Sequence, residues 1–120
     1  MAFIRSILSW LGLERPSAKV GFRPHRTVEV ALPLDAAYEK CLEGLDRTLG
    51  ATIYRSDLNA AKGHAHIEAG FGLVNSERLR VSLDARTNNT VVRIEAIHPA
   101  NVTAPEKSLA VETLADFLLS

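Results

Sequence analysis

Two histidines are the residues of this sequence whose spacing most suggests chemistry. His64 and His66 stand two positions apart in a stretch where polar and small apolar residues alternate. On a β-strand this spacing places both imidazoles on one face, and Glu68 continues that face. Two imidazoles can share a metal ion, but a structural zinc site needs four ligands and a catalytic site three. His64 and His66 are the only metal candidates here. The sequence favours a solvated polar face and predicts no cofactor.

The single cysteine is predicted to be structural. Cys41 falls on the apolar face of a predicted helix, beside Leu42 and Leu45. Burial raises the pKa of a thiol and makes it inert. One cysteine also excludes an internal disulfide framework and fits a reducing, cytoplasmic compartment. No serine has a nucleophile-elbow context and no glycine-rich loop resembles a phosphate cradle, so no catalytic residue is predicted.

The charges argue against a nucleic-acid partner. Lysine and arginine number 14, as do aspartate and glutamate, so the formal net charge is zero. Nonspecific binding to nucleic acid needs a clear positive excess. Arg78, Arg80 and Arg93 suggest a basic sheet surface, but Glu68 and Asp84 fall on the same inferred face. A mixed, solvated surface is the prediction.

Apolar residues in one predicted loop leave two readings open. Phe71, Leu73 and Val74 lie between two predicted strands, flanked by Gly70 and Gly72. This loop either caps the core or lines the mouth of a pocket for an apolar ligand.

The stretch FIRSILSWLGL, residues 3–13, has the pattern of an amphipathic helix. At 100° per residue Arg5 and Ser9 fall opposite one continuous apolar arc, which consists of Phe3, Ile4, Ile7, Leu8, Trp10 and Leu11. Burial of each large side chain stabilises by about 1.5–3 kcal/mol, so this arc needs a cover. Three covers are open: the chain's own domain, a protein partner or second copy, and the surface of a membrane.

The beginning of the chain is a poor match to a signal peptide, because Glu14, Arg15 and Pro16 stand where small residues should precede a cleavage site. No apolar run approaches the roughly 20 residues needed to span a bilayer. The predicted organisation is an amphipathic helix over 1–15, a linker over 16–25 and one α+β domain over 26–120. The predicted location is cytoplasmic, with peripheral membrane contact as an option.

Hydrophobic periodicity predicts the elements of the main domain. These are a strand over Thr27–Leu32, a helix over Leu34–Leu49 stopped by Gly50, a strand over 51–56 with a turn at 57–59, a strand over 61–69, two strands joined at Asn88-Asn89, and a helix from a capping box at Thr103. A two-residue turn at Asn88-Asn89 places Asp84 opposite Arg93 and all inward residues on one side. Between Ile53 and Tyr54, the residue that faces inward stays open.

The predicted fold class is α+β, with about five antiparallel strands, two helices on one face, and the order β-α-β-β-β-β-α. The stretch VEVALPLDAAYEKCLEGL resembles the opening of START-like helix-grip domains, in which a strand runs through a proline into the first helix. The element order is also similar to that of the TATA-binding-protein repeat. The resemblance covers roughly Thr27 to Leu119. It implies a sheet gripping a C-terminal helix, and for START-like relatives a cavity for a lipid or another apolar ligand.

The sequence thus favours a non-enzymatic binding or accessory domain that contacts a partner, a second copy or a membrane through its N-terminal helix. A carrier of a small apolar ligand, held between the sheet and the C-terminal helix, is the first alternative. A metal protein or enzyme built on His64 and His66 is the second.

Overall fold

The computed structural model describes residues 23–72, 76–98 and 107–120. Seven elements follow in chain order: β1 (His25–Val30), α1 (Leu34–Arg47), β2 (Thr52–Asn59), β3 (His64–Gly70), β4 (Arg78–Ala85), β5 (Thr90–Ile97) and α2 (Leu109–Leu119). The predicted α+β class and element order are confirmed. The helix predicted over residues 1–15 lies outside the described residues. Within the described ranges, neither helix is long and apolar enough to cross a membrane.

The five strands form one antiparallel sheet in the order β1-β5-β4-β3-β2. Successive side chains alternate between its two faces. The inner face is apolar and buried; it consists of Val28, Val30, Ala65, Ile67, Ala69, Leu79, Val81, Leu83, Val92, Ile94 and Ala96. Hydrogen bonding between β1 and β5 extends into the predicted linker over residues 16–25, because the Pro24 carbonyl accepts a hydrogen bond from the Ala96 amide.

Helix α1 covers the half of the inner face formed by β2, β3 and β4. Its buried stripe contains Ala37, Cys41 and Leu45, as the periodicity predicts. The helix ends at Arg47, two residues before the predicted end at Leu49. Gly50 follows with a positive φ of 62°, and its amide donates to the Asp46 carbonyl.

Helix α2 covers the other half, over β1 and β5. It begins at Leu109, and Ser108 caps it by accepting a hydrogen bond from the Val111 amide at 3.3 Å. The helix therefore begins later than the capping box at Thr103 predicted, and residues 99–106 lie outside the described ranges. Arg26 ties α2 to β1, with Nη1 2.8 Å from Glu112 Oε1 and 3.1 Å from Asp116 Oδ1. These two carboxylates are four residues apart and share one side of the helix.

The predicted pairing of β4 with β5 is wrong by two residues. Ala85 lies opposite Thr90 and Leu83 opposite Val92, with a loop over residues 86–89 instead of a two-residue Asn88-Asn89 turn. Asp84 consequently faces Val91 and not Arg93. A shift of two residues leaves every side chain on its predicted face, so the apolar pattern could not distinguish the two registers.

Strand β2 continues through the turn predicted at 57–59, and the chain turns at residues 60–63 instead, where Gly63 has a φ of 66°. The sequence left open whether Ile53 or Tyr54 faces inward, and in the structure it is Ile53. The register shifts between Ile53 and Arg55, so Tyr54 is the extra residue of a β-bulge. Its ring lies on the outer face, near Gly70 and within 5.1 Å of the Arg78 guanidinium.

The two helices approach each other most closely at Gly44 of α1. A Cβ atom on Gly44 would lie 2.7 Å from Leu114 Cδ1 and 2.7 Å from Phe117 Cδ2, both on α2. Leu114 is fully buried and cannot move into free space. The absence of a side chain at residue 44 therefore sets the distance between the helices.

Substitution of Gly44 by leucine is expected to lower the free energy of unfolding by about 1–3 kcal/mol, because overpacking displaces α2. Asp46→Leu, at an exposed position of the same helix, is the matched control and should change stability by less than about 0.5 kcal/mol. Urea unfolding followed by circular dichroism measures both. Equal stability of the two variants would contradict the close contact.

Candidate functional site

A buried polar cluster joins three separate parts of the chain at one end of the core. Glu77 stands just before β4, His98 just after β5, and Ser108 just before α2. Ser108 Oγ donates to Glu77 Oε1 at 3.1 Å, and His98 Nε2 lies 2.9 Å from Glu77 Oε2. Glu77 and Ser108 are both buried. Because a buried carboxylate is costly unless hydrogen-bonded, this cluster holds the ends of two strands and one helix in fixed positions.

The geometry of the cluster supports structure and recognition better than nucleophilic catalysis. The Ser108 hydroxyl donates to Glu77 and accepts from the Val111 amide, so both functions of the oxygen are in use. Glu77 lies between the serine and the histidine, so the order of contacts differs from a Ser-His-carboxylate triad, in which the histidine bonds the serine. His98 Nδ1 is buried and has no hydrogen-bond partner among the described residues. The imidazole therefore contacts Glu77 through Nε2.

A groove of about 420 Å³ opens beside this cluster, between the end of α1 and the start of α2. We call it the α2 groove; it is lined by Thr48, Leu49, Phe71, Glu77, Lys107, Ser108, Leu109, Ala110 and Thr113. Leu109 is 83% exposed although it is a large apolar residue in the first turn of a helix. The groove thus combines apolar side chains with a buried carboxylate and a buried hydroxyl.

Of the apolar loop residues predicted to contact a ligand, Phe71 lines the α2 groove and is half-buried. It also packs against the core, so the two readings of this residue are compatible. Leu73 and Val74 lie outside the described residues. The predicted contact residues of the N-terminal helix, Phe3, Ile4, Ile7, Leu8, Trp10 and Leu11, lie outside them as well.

His64 and His66 lie on the outer face of the sheet, as the alternation predicts, and each contacts a carboxylate. His64 Nδ1 lies 3.1 Å from Asp84 Oδ1, and His66 Nε2 lies 2.8 Å from Glu68 Oε2. The hydrogen bond from His66 lowers the pKa of the Glu68 carboxyl. Within the described ranges, no three histidine, cysteine, aspartate or glutamate side chains are arranged to hold a metal ion. The pair belongs to a shallow polar groove on the outer face, lined by Arg55, Asp57, Asn59, Lys62, His64 and His66.

The outer face carries a row of alternating charge across four strands. In register order the row runs Glu95, Arg80, Glu68, Arg55, and His25 of β1 lies opposite Glu95. Opposite charges on adjacent strands stabilise a sheet modestly, and the row leaves no large field of one sign. The mixed, solvated surface predicted from the sequence is thus present on this face.

Cys41 lies in the centre of the core and is fully buried. Burial raises the pKa of its thiol to about 12. Because the thiolate is the reactive form, the thiol is inert in the folded protein.

Sequence reasoning missed the cluster of Glu77, His98 and Ser108, since its members are far apart in the chain and no local pattern connects them. The one available signal was that Glu77 and His98 lie on either side of the predicted hairpin at Asn88-Asn89. A scan of known protein-family models finds no match to this sequence, and a search of curated proteins finds none either.

Replacement of Glu77 by alanine is expected to lower the free energy of unfolding by about 1–3 kcal/mol, because Ser108 and His98 then lose a buried partner. Glu39→Ala, at an exposed site on α1, is the control and should be nearly neutral. Chemical denaturation monitors the difference. A neutral Glu77→Ala variant would show that the cluster does not stabilise the fold.

Cys41 should resist a thiol reagent such as dithionitrobenzoate at pH 8. With a pKa of about 12, only about one thiol in ten thousand is ionised at that pH, and the side chain is also shielded. In denaturing urea the same thiol should react within minutes. Absorbance at the thionitrobenzoate band follows both reactions. Rapid stoichiometric labelling of the folded chain would be inconsistent with burial of Cys41.

Proposed function

We propose that this chain is a small binding domain, not an enzyme, and that it holds a small, mostly apolar ligand in the α2 groove. The observation that supports this most directly is the composition of the groove, which combines exposed apolar walls with a polar base. Grooves of about 300–1,000 Å³ with mainly apolar walls and few polar groups are the usual form of a small-molecule site. The α2 groove, at about 420 Å³, falls in this range.

The walls of the groove favour an apolar body for the ligand. Leu49 follows α1, Phe71 follows β3 and Leu109 begins α2, and all three border the same space. An exposed leucine such as Leu109 has apolar surface in water that a ligand would cover, and coverage of a large side chain contributes up to about 1.5–3 kcal/mol.

The base of the groove favours a ligand with a small polar group. Glu77 and Ser108 belong to the lining and are held in place by their mutual hydrogen bond. Polar groups fixed in this way orient the ligand and provide selectivity, whereas the apolar walls provide most of the affinity. Lys107 is the exposed cation of the lining, so the polar end of the ligand meets both signs of charge.

The resemblance to START-like domains agrees with this proposal, because such domains generally enclose a cavity for an apolar ligand. The element order is the one that the resemblance implies. Membership of that family is part of the proposal. Contact of the N-terminal helix with a partner or a membrane remains a separate prediction from the sequence.

Titration of the ¹⁵N-labelled full chain with octanol and with octanoate tests the proposal. We expect amide shifts to concentrate at Phe71, Leu109 and Ala110. We also expect Leu109→Ser to weaken the binding about tenfold, because one apolar wall is removed.

Leu119→Ser is the matched control, since Leu119 is an exposed leucine at the other end of the same helix and is not part of the lining. It should leave the affinity unchanged. Shifts scattered over the whole surface, or equal loss with both variants, would contradict a site in the α2 groove. Turnover of a substrate, lost on one point substitution, would contradict the choice of a binding domain over an enzyme.

A further inference from the structure

Strand β2 is an edge strand whose free side is not paired by any element of the described residues. It has eight residues, and all those from Tyr54 to Asn59 are exposed. The side chains of Arg55 and Asp57 are 66% and 59% exposed. An open strand edge presents unpaired backbone N–H and C=O groups, which another strand can satisfy. The edge of β2 is thus a surface that can accept one more strand.

The charges of β2 match those of a second copy of the same strand. Arg55 and Asp57 lie on the outer face, two residues apart, with Ser56 between them on the inner face. A two-fold axis through Ser56 places Arg55 of each antiparallel strand opposite Asp57 of the other. Opposite charges at directly facing positions stabilise a strand pair, whereas an axis through Asp57 would set two aspartates against each other. The strand is therefore complementary to itself in one register.

We propose that two copies of this chain associate through their β2 edges, with Arg55 of each copy paired to Asp57 of the other. The result is a continuous ten-stranded sheet with helices on one face. The shared edge is isologous, as the symmetry of a two-fold dimer requires. Arg55 and Asp57 already contact within one strand, Nε to Oδ2 at 2.8 Å, so association adds a second partner to each charge.

The β-bulge limits the length of this interface. Tyr54 interrupts the regular register of β2. With the axis through Ser56, Leu58 of one copy lies opposite Tyr54 of the other, so the pairing that avoids the bulge is limited to residues 55–57. A bulge at an edge commonly restricts strand pairing. The contact is therefore short and belongs to the class of small, reversible interfaces. The proposal is independent of ligand binding, because no residue of the α2 groove lies on β2.

Sedimentation velocity of the full chain over a wide concentration series tests the proposal with two charge reversals. The parent chain is expected to show a sedimentation coefficient that rises with concentration. The chain with Arg55→Asp carries two acidic residues at the edge, and the chain with Asp57→Arg carries two basic ones. Each alone should dimerise at least tenfold more weakly than the parent, because like charges then face each other.

An equimolar mixture of the two variant chains is the decisive arm. Acidic and basic edges then face each other, and heterodimers should form with about the affinity of the parent. Three results would each overturn the proposal. The parent chain could stay monomeric throughout, the single variants could dimerise like the parent, or the mixture could stay monomeric. A dimer indifferent to both reversals uses another surface, such as the N-terminal helix.

Amide hydrogen exchange of the parent chain supplies a measurement that needs no variant. Exchange of the amides in residues 55–57 that point away from β3 should slow as the concentration rises, while exchange in β1, the other edge strand, should not change. Unchanged protection of these amides at concentrations where the chain self-associates would overturn the proposal.

Discussion

Two helices have to share one face of a five-stranded sheet, and the contact at Gly44 makes this possible. Five strands about 4.8 Å apart present a face about 19 Å wide between the outermost strands. Two helices whose axes are about 8–10 Å apart cover that width without a gap between them. A larger separation would leave apolar side chains of the sheet uncovered between the helices. A side chain at residue 44 would meet Leu114 and Phe117 of α2. The whole apolar layer, from Val28 on β1 to Ala69 on β3, thus depends on one position without a side chain.

The polar outer face follows from the same constraint. Both described helices occupy the inner face, so no helix of the described residues covers the outer face. Most outer residues are polar, and Val91 and Ile97 are half-buried exceptions. Alternating charges along the row from Glu95 to Arg55 provide much of this polar surface without a strong local field. His64 and His66 are members of the same polar face, each held by a carboxylate. Their spacing, which suggests a shared metal in the sequence, is a consequence of the two-residue period of a strand.

The sequence predicted which residues face inward far better than it predicted pairing. Burial of Val81, Leu83 and Ile94 follows from alternation, and a register error of two residues leaves that alternation intact. Strand ends were harder, because the bulge at Tyr54 and the extension of β2 to Asn59 depend on pairing with β3, which no local pattern encodes. The cluster of Glu77, His98 and Ser108 was not predictable for a related reason. The hydrogen bond between Ser108 and Glu77, for example, joins residues that are 31 positions apart in the chain.

The position of the α2 groove follows from the lengths of the elements. Helix α2 has 11 residues and is about 16 Å long, whereas an eight-residue strand such as β5 is about 26 Å long. The helix therefore cannot cover a strand from end to end. Lys40 holds its C-terminal end by donating to the Leu118 and Ser120 carbonyls. The strand length that α2 does not cover therefore falls at the N-terminal end of the helix, beside Ser108, as far as the described residues show. There the core is closed by a hydrogen-bonded polar cluster instead of a further turn of apolar helix, and a groove with both apolar walls and polar groups results.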